Sequence, residues 1–211
     1  MTPAWFAAAY TLAFVAFTAA RGDRRVVAYL VVVGTIAALL RAVHRRRPLS
    51  ANVRWALSIC GLLHMVGGLL PSPTEGAPVF YETWLVEGLL KYDQLTHFTV
   101  SAVVTVACWQ VVAGWLDTDG AGPTAHALLA GAMGVAFGAL NEVLEFLSAL
   151  RFTDAFVGGL DNVGWDLVFN LFGALSAGVW LALASRSPDR PRTPRPSDAL
   201  PRPGTARAGT S

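Results

Sequence analysis

The sequence has little charge for its length. Charged residues make up 14% of its 211 positions, against about 25% in soluble domains, whereas 54% are hydrophobic and the mean hydropathy is +0.49. Lysine occurs once, at Lys91, and the net charge is +2. So weak a positive charge excludes the basic surface that nucleic-acid binding needs, and we expect no nucleic-acid partner. The composition is that of a membrane protein.

Cysteine and known metal-binding motifs are also scarce. The two cysteines, Cys60 and Cys108, fall within apolar stretches, where we predict buried thiols without a disulfide. The sequence has no His-Glu-x-x-His pattern of the kind that holds catalytic zinc. No repeat relates the first half of the chain to the second, which argues against an inverted-repeat transporter.

Six stretches come close to the roughly 20 apolar residues that a membrane-crossing helix needs. They are Pro3–Ala20, Val26–Val43, Trp55–Leu70, Leu95–Leu116, Ala125–Leu150 and Trp165–Ala184. We predict an all-α fold, a polytopic membrane bundle of six transmembrane helices in residues 1–184. The basic, proline-rich segment 185–211 is predicted to be a disordered cytoplasmic tail. No Lys or Arg precedes the first stretch, so we expect a retained span and not a cleaved signal peptide.

The distribution of basic residues predicts the orientation. With both termini cytoplasmic, eleven lysine and arginine residues lie inside and five outside, as the positive-inside rule favours. The abundance of Ala, Gly and Arg indicates a GC-rich bacterial genome, so we expect a location in the bacterial plasma membrane. The longest connection, Pro71–Tyr92, is then extracytoplasmic, and its Phe80–Glu87 part is predicted to be a short aromatic helix at the membrane interface. A tight turn is predicted at Asp117–Pro123.

Ionisable residues in the apolar stretches are the main functional signal. A charge inside the membrane costs roughly 2.5–3.5 kcal/mol on insertion scales, so an acid there needs a partner. The last three predicted helices each carry a polar pair at helical spacing: Asp93 with His97, Glu142 with Glu145, and Asp166 with Asn170. Because successive helices alternate in direction, all three pairs fall at the outer ends of their helices. We therefore predict that they converge into one extracytoplasmic site.

Small residues on the same helix faces predict close packing beside these pairs. Gly131, Gly134 and Gly138 precede the two glutamates on one face of the fifth span. Gly173 and Ala177 follow the polar pair of the sixth span on one face. Small residues let membrane helices approach closely. We predict that the fifth and sixth spans pack face to face, with their polar groups at one end of the contact.

The first functional hypothesis is a metal-dependent enzyme. Carboxylate and imidazole donors suit Zn, Mn or Mg, and such a divalent cation would polarise a phosphoester or activate water on a lipid or lipid-linked envelope substrate. The candidate metal ligands are Asp93, His97, Glu142, Glu145 and Asp166. The candidate catalytic residues are Glu142, Glu145 and His97. The candidate ligand- or substrate-binding residues are Asp93, Asp161, Asn170 and His64.

Two other classes of function remain open. The acids and His97 could share protons in a proton- or cation-coupled carrier, because neighbouring carboxyl groups and a histidine readily exchange protons. Alternatively, the polar cluster could only fix the packing of a non-enzymatic envelope accessory protein. The sequence leaves the substrate and the oligomeric state undetermined.

Purely structural roles are alternatives for several of these residues. Asp161 or Asp166 could cap the sixth helix, and Asp93 could cap the fourth. His64 could be a hydrogen-bonded core histidine. Two hydroxyls of the fourth span are predicted to bond back to their own helix: Ser101 and Thr105.

Two short motifs resemble those of a known family. Tyr92-Asp-Gln-Leu-Thr-His97-Phe and Asn141-Glu142-Val-Leu-Glu145-Phe are similar to motifs of the YjdF-like six-span bacterial membrane proteins. The resemblance implies an envelope-associated membrane protein with no established reaction.

The last span resembles a second group more closely. The spacing of Asp166, Asn170, Gly173 and Gly178 is similar to the pattern of VanZ-like proteins. Compared with the YjdF-like pattern, Asn170 stands in place of an acid and the earlier acid is displaced to Asp161. This departure implies weaker or altered ligation of any cation that the family binds.

Overall fold

The computed structural model describes residues 1–113, 122–151 and 159–185. These residues form six long α-helices and one short β-hairpin. The helices are α1 (Pro3–Ala20), α2 (Arg25–Arg46), α3 (Ala51–Leu69), α4 (Tyr92–Val112), α5 (Pro123–Arg151) and α6 (Leu160–Ala184). A 3-10 turn (Phe80–Glu82) and the strands β1 (Trp84–Val86) and β2 (Leu90–Lys91) lie between α3 and α4. Most of the predicted turn at Asp117–Pro123, and the predicted tail beyond Ser185, lie outside the described residues.

The predicted fold class, an all-α membrane helix bundle, is confirmed. Five of the described helices, α1, α2, α4, α5 and α6, are long and apolar enough to cross a membrane. The sixth, α3, is 19 residues long and is not among them, since Asn52, Arg54 and His64 lower its hydropathy. It packs against α1 on one side and α4 on the other, and so completes the bundle.

Three helices, α3, α4 and α6, begin three to five residues earlier than their apolar stretches. Helix α3 begins at Ala51, because the Ser50 hydroxyl caps it by accepting from the Val53 N–H at 3.3 Å. Helix α4 begins at Tyr92, where Gln94 Oε1 accepts from the Lys91 N–H at 2.9 Å. Helix α6 begins five residues before the predicted start. The first turns of these helices are polar, so a search for apolar runs does not find them.

The predicted interfacial helix at Phe80–Glu87 is wrong. A single 3-10 turn is followed there by the antiparallel hairpin of β1 and β2. Gly88, at φ +70°, supplies the left-handed residue of the hairpin turn. The backbone also bonds outside the segment, with the Tyr92 N–H donating to the Thr83 carbonyl at 2.9 Å. A helix of two turns is marginal by itself, so these longer-range bonds prevail.

The predicted close packing of α5 and α6 is confirmed, and α4 joins the same contact. A Cβ on Gly138 would lie 2.7 Å from the Asn170 side chain, and one on Gly134 would meet the Thr105 hydroxyl of α4. On α6, a Cβ at Gly173 would overlap the Phe98 carbonyl oxygen of α4. Small residues thus bring three helix backbones together, as the membrane-packing rule predicts.

The first half of the bundle packs through aromatic rings. Helix α3 packs on α1 and contacts α2, and α2 has no buried residue among those described. Three tyrosines contact glycines of α3: Tyr10 at Gly61, Tyr29 at Gly68 and Tyr81 at Gly67. Cys60 and Cys108, on α3 and α4, are buried free thiols, as predicted.

Candidate functional site

The polar residues of the last three helices meet at one end of the bundle. Helices α4 and α6 begin at this end and α5 reaches it in its final turns. Asp93 and His97 lie in the first two turns of α4, and Asp166 lies in the second turn of α6. The convergence expected from the helix directions is therefore present.

His97 lies at the centre of this cluster. Its Nε2 lies 3.3 Å from Asp93 Oδ1 and 3.9 Å from Asp166 Oδ1. Its other ring nitrogen, Nδ1, lies 3.2 Å from Glu142 Oε1. Each of the two ring nitrogens of His97 therefore lies close to a carboxylate. A doubly protonated ring would pair with both sides, and a metal ion replacing one proton would leave the other pairing intact.

Asn162 ties two of the carboxylates together. Its Nδ2 donates to Asp93 Oδ2 at 3.1 Å and to Asp166 Oδ2 at 2.5 Å. The second oxygen of each carboxylate, Oδ1, is then the one that faces His97 Nε2. One amide thus orients two acids from different helices toward the same imidazole nitrogen.

A second amide chain positions Glu142. The Asn170 Nδ2 donates to Glu142 Oε1 at 3.1 Å, and the Ser101 hydroxyl donates to Asn170 Oδ1 at 2.7 Å. Ser101, Asn170 and Glu142 belong to α4, α6 and α5, so the chain joins all three helices. The prediction that Ser101 bonds back to its own helix is wrong for this reason, whereas Thr105 does so, donating to the Ser101 carbonyl at 2.8 Å.

The cluster is enclosed and incompletely bonded. Asp166 is 1% exposed, His97 3% and Glu142 4%. Among the described residues, two buried side-chain oxygens have no hydrogen-bond partner, Glu142 Oε2 and Asp166 Oδ1. Leaving a buried polar atom unpaired costs about 1–3 kcal/mol, more for a charged group. Both carboxylates are paired with His97, through Asp166 Oδ1 and Glu142 Oε1, so the two unpaired atoms belong to one cluster.

Glu145 extends the cluster toward the end of α5. It is half-buried and its Oε1 accepts from Asn141 Nδ2 at 2.7 Å. Two sets of donors within 4.8 Å of one another share His97: Asp93 with Asp166, and Glu142 with Glu145. All five predicted metal ligands therefore lie in the cluster, and Asn170 lies among them as a hydrogen-bond donor.

Two predicted site residues lie outside the cluster. Asp161 is exposed in the first turn of α6. His64 lies on α3, where its Nδ1 is 2.6 Å from the Tyr81 hydroxyl. That contact fits the alternative of a hydrogen-bonded core histidine.

The proposed capping roles are wrong. Helix α4 is capped at Lys91 and α6 at Gly159, whereas Asp93 and Asp161 lie at the second helical positions. Asp166 lies deeper still. The acids of the cluster are therefore not needed to begin these helices.

Sequence reasoning missed Asn162 and the role of Asn141. Both carry a usable signal, because each is four residues before an acid of the site, Asp166 or Glu145, and i, i+4 residues share a helix face. Asn162 was overlooked because the sixth span was predicted to begin after it.

The fold and the cluster define a class: a helical integral membrane protein with an acid–histidine site buried at one end of its bundle. Within that class, the chain belongs to the family described as "Predicted membrane protein (DUF2238)", whose model matches residues 2–187. No curated protein and no solved structure matches the chain significantly.

Proposed function

We propose that the protein binds a divalent cation through Asp93, His97 Nε2 and Asp166. The observation that carries this proposal is Asp166 Oδ1, a carboxylate oxygen buried without a hydrogen-bond partner among the described residues and directed at His97. An ionised carboxylate oxygen in an apolar bundle needs a positive charge beside it. A cation between Asp166 and His97 supplies that charge.

The distances between the donor atoms suit a single cation. Ligands bound about 2.0–2.2 Å from one metal lie about 2.8–4.4 Å from one another, depending on the geometry. His97 Nε2 is 3.3 Å from Asp93 Oδ1 and 3.9 Å from Asp166 Oδ1. Nitrogen and carboxylate oxygen donors fit Zn or Mn, and less well Mg, which prefers oxygen alone.

The residues around these ligands have the supporting role that metal sites require. A metal-binding histidine usually donates its other ring N–H to a carboxylate, which fixes the ring and raises its basicity. Glu142 is in that position, 3.2 Å from His97 Nδ1. Asn162 fixes both aspartates through their outer oxygens.

The reaction that this site fits best is metal-assisted chemistry on a lipid or lipid-linked headgroup. Three protein ligands leave coordination positions open, and the cation would activate water or polarise a phosphoester there. With both termini cytoplasmic, as the arginine distribution favours, the site faces the outer leaflet of the bacterial plasma membrane. The proposal includes a relationship of the chain to YjdF-like proteins and of α6 to VanZ-like proteins.

The burial of the site favours a second candidate, a carrier for cations or protons. Asp93, His97, Glu142 and Asp166 are each at most 9% exposed, an enclosure that a small ion enters more readily than a headgroup. Uptake of Mn²⁺ or protons into vesicles, lost in Glu145→Gln, would favour the carrier. Cation binding without uptake would favour the enzyme.

Metal analysis of the purified full chain tests the proposal. The wild type, loaded with Zn²⁺ or Mn²⁺ and freed of loose ions, is expected to retain metal, and Asp166→Asn is expected to retain markedly less. Asp161→Asn is the matched control, because it makes the same change on an exposed position of the same helix. A metal-free wild type, or an Asp166→Asn variant that binds as the control does, would overturn the proposal.

A further inference from the structure

The imidazole of His97 has a second side that the proposed cation does not use. Its Nδ1 faces Glu142, and the donor atoms of His97, Glu142 and Glu145 lie within 4.8 Å of one another. This second set has the same composition as the first, one histidine nitrogen and two carboxylates. The two sets lie on opposite sides of one ring.

The second set also has its own unpaired oxygen. Glu142 Oε2 is buried and lacks a hydrogen-bond partner among the described residues, while Glu142 Oε1 already accepts from Asn170. On the first side, Asp166 Oδ1 is unpaired and Oδ2 is held by Asn162. On each side an amide holds one carboxylate oxygen and leaves the other without a partner. The oxygen that faces His97 is the unpaired one in Asp166 and the amide-bonded one in Glu142.

When its four carboxyl groups are ionised, the cluster carries more negative charge than one divalent cation balances. Four carboxyl groups converge on one imidazole, and a single divalent cation balances two of them. The remaining pair, Glu142 and Glu145, would stay as neighbouring negative charges in an apolar bundle, which is costly. A second divalent cation on this pair lowers that cost, because the net charge changes from −2 with one cation and a neutral ring to −1 with two cations and an imidazolate.

We propose that the centre is dinuclear, with a second divalent cation bound by His97 Nδ1, Glu142 and Glu145 and the His97 ring bridging the two cations. This inference rests on the proposed function, which supplies the first cation, and the second cation would replace the His97 Nδ1–H that Glu142 accepts when only the first is bound. Starting from the doubly protonated ring, each cation would take the place of one N–H proton, and both protons would leave to solvent. The ring would then be an imidazolate that offers one nitrogen lone pair to each cation.

The two sites can be tested separately in the purified full chain. Zn²⁺ content is expected to be two ions per chain in the wild type and one in Glu145→Gln. The glutamine keeps an oxygen that can accept from Asn141, so the fold around it is preserved. Asp161→Asn, exposed and outside the cluster, is expected to keep both ions.

Bridging also gives a spectroscopic signal, which is compared between the wild type and Glu145→Gln. Cu²⁺ binds imidazole and carboxylate donors, so it serves as a paramagnetic probe. In the Cu²⁺-loaded wild type, two ions on one imidazolate are spin-coupled, and the electron paramagnetic resonance intensity per copper is expected to fall well below that of Glu145→Gln.

Each outcome decides between the two proposals. One Zn²⁺ ion in both the wild type and Glu145→Gln overturns the dinuclear centre and leaves the single-cation site standing. No ion in any variant overturns both. Two ions with full, uncoupled copper signals overturn the bridge.

Discussion

The two halves of the bundle differ in the side chains that lie between their helices. In α4–α6, glycines bring the backbones together around ionisable groups, and Gly173 of α6 lies against the Phe98 carbonyl of α4. In α1–α3 and the 3-10 turn that follows, tyrosine rings lie beside glycines of α3, and α2 has no buried residue among those described. Ring packing leaves adjustable side chains at the contact, whereas backbone-to-backbone packing does not. At Gly173 the half that holds the acids therefore has a backbone contact that cannot adjust, which suits a site with fixed ligand positions.

The largest difference between the halves is expected from their histidines. Replacing His97 by Ala leaves buried carboxylates without their partner, and breaking such a pair costs about 3–5 kcal/mol. His64→Ala is the matched change in the first half, where the histidine's side-chain partner is the Tyr81 hydroxyl. Thermal unfolding in detergent with a chelator present should show a much larger loss for His97→Ala. Equal losses would contradict the contrast between the halves.

A smaller difference is expected from glycine substitutions. Gly173→Ala places a methyl group against a backbone carbonyl that cannot rotate away, and such overpacking costs about 1–3 kcal/mol. Gly164→Ala is the control on the same helix, since a Cβ there meets nothing within 4 Å. It should be stabilising by about 0.5–1 kcal/mol, because Gly is the poorer helix former. Unfolding midpoints that move together would argue against close packing of α4 on α6.

The smallest effect is expected from Tyr81→Phe, which removes one hydroxyl from the first half. Losing the hydrogen bond with His64 costs about 0.5–1.5 kcal/mol near neutral pH. Burial also raises the pKa of the Tyr81 phenol well above its usual 10.0. As pH rises through about 10 the unfolded phenol ionises first, so the wild type loses stability there.

The phenylalanine variant should therefore lose less stability than the wild type between about pH 9 and 11. The free energy of unfolding of both proteins, measured with a chemical denaturant at each of these two pH values, checks this prediction. Parallel curves for the two proteins would show that the Tyr81 phenol is not held neutral by burial.

Much of the site could be predicted from helix periodicity alone. The i, i+4 spacing of Asp93 with His97, and the alternating helix directions, place the acids of three helices together before any coordinates are known. Asn162 has the same i, i+4 spacing to Asp166, but the predicted span begins at Trp165 and leaves out the polar first turn of α6 that contains it.

The hairpin before α4 could not be predicted from the local sequence. The aromatic residues of Phe80–Glu87 favour an interfacial helix locally. The observed turn and strands depend on partners distant in sequence, such as the Phe80 N–H donating to the Leu70 carbonyl at 2.9 Å. Likewise, the partner of Ser101 is 69 residues away in sequence, at Asn170, and no local pattern identifies it.

X-ray absorption spectroscopy of the Zn²⁺-loaded full chain tests the central claim most directly. The account predicts nitrogen and oxygen ligands at about 2.0–2.2 Å, with the outer scattering of an imidazole ring and no sulfur shell. Sulfur at about 2.3 Å would place the metal on Cys60 or Cys108 and contradict the account. So would a nitrogen–oxygen shell whose imidazole scattering is unchanged in His97→Ala.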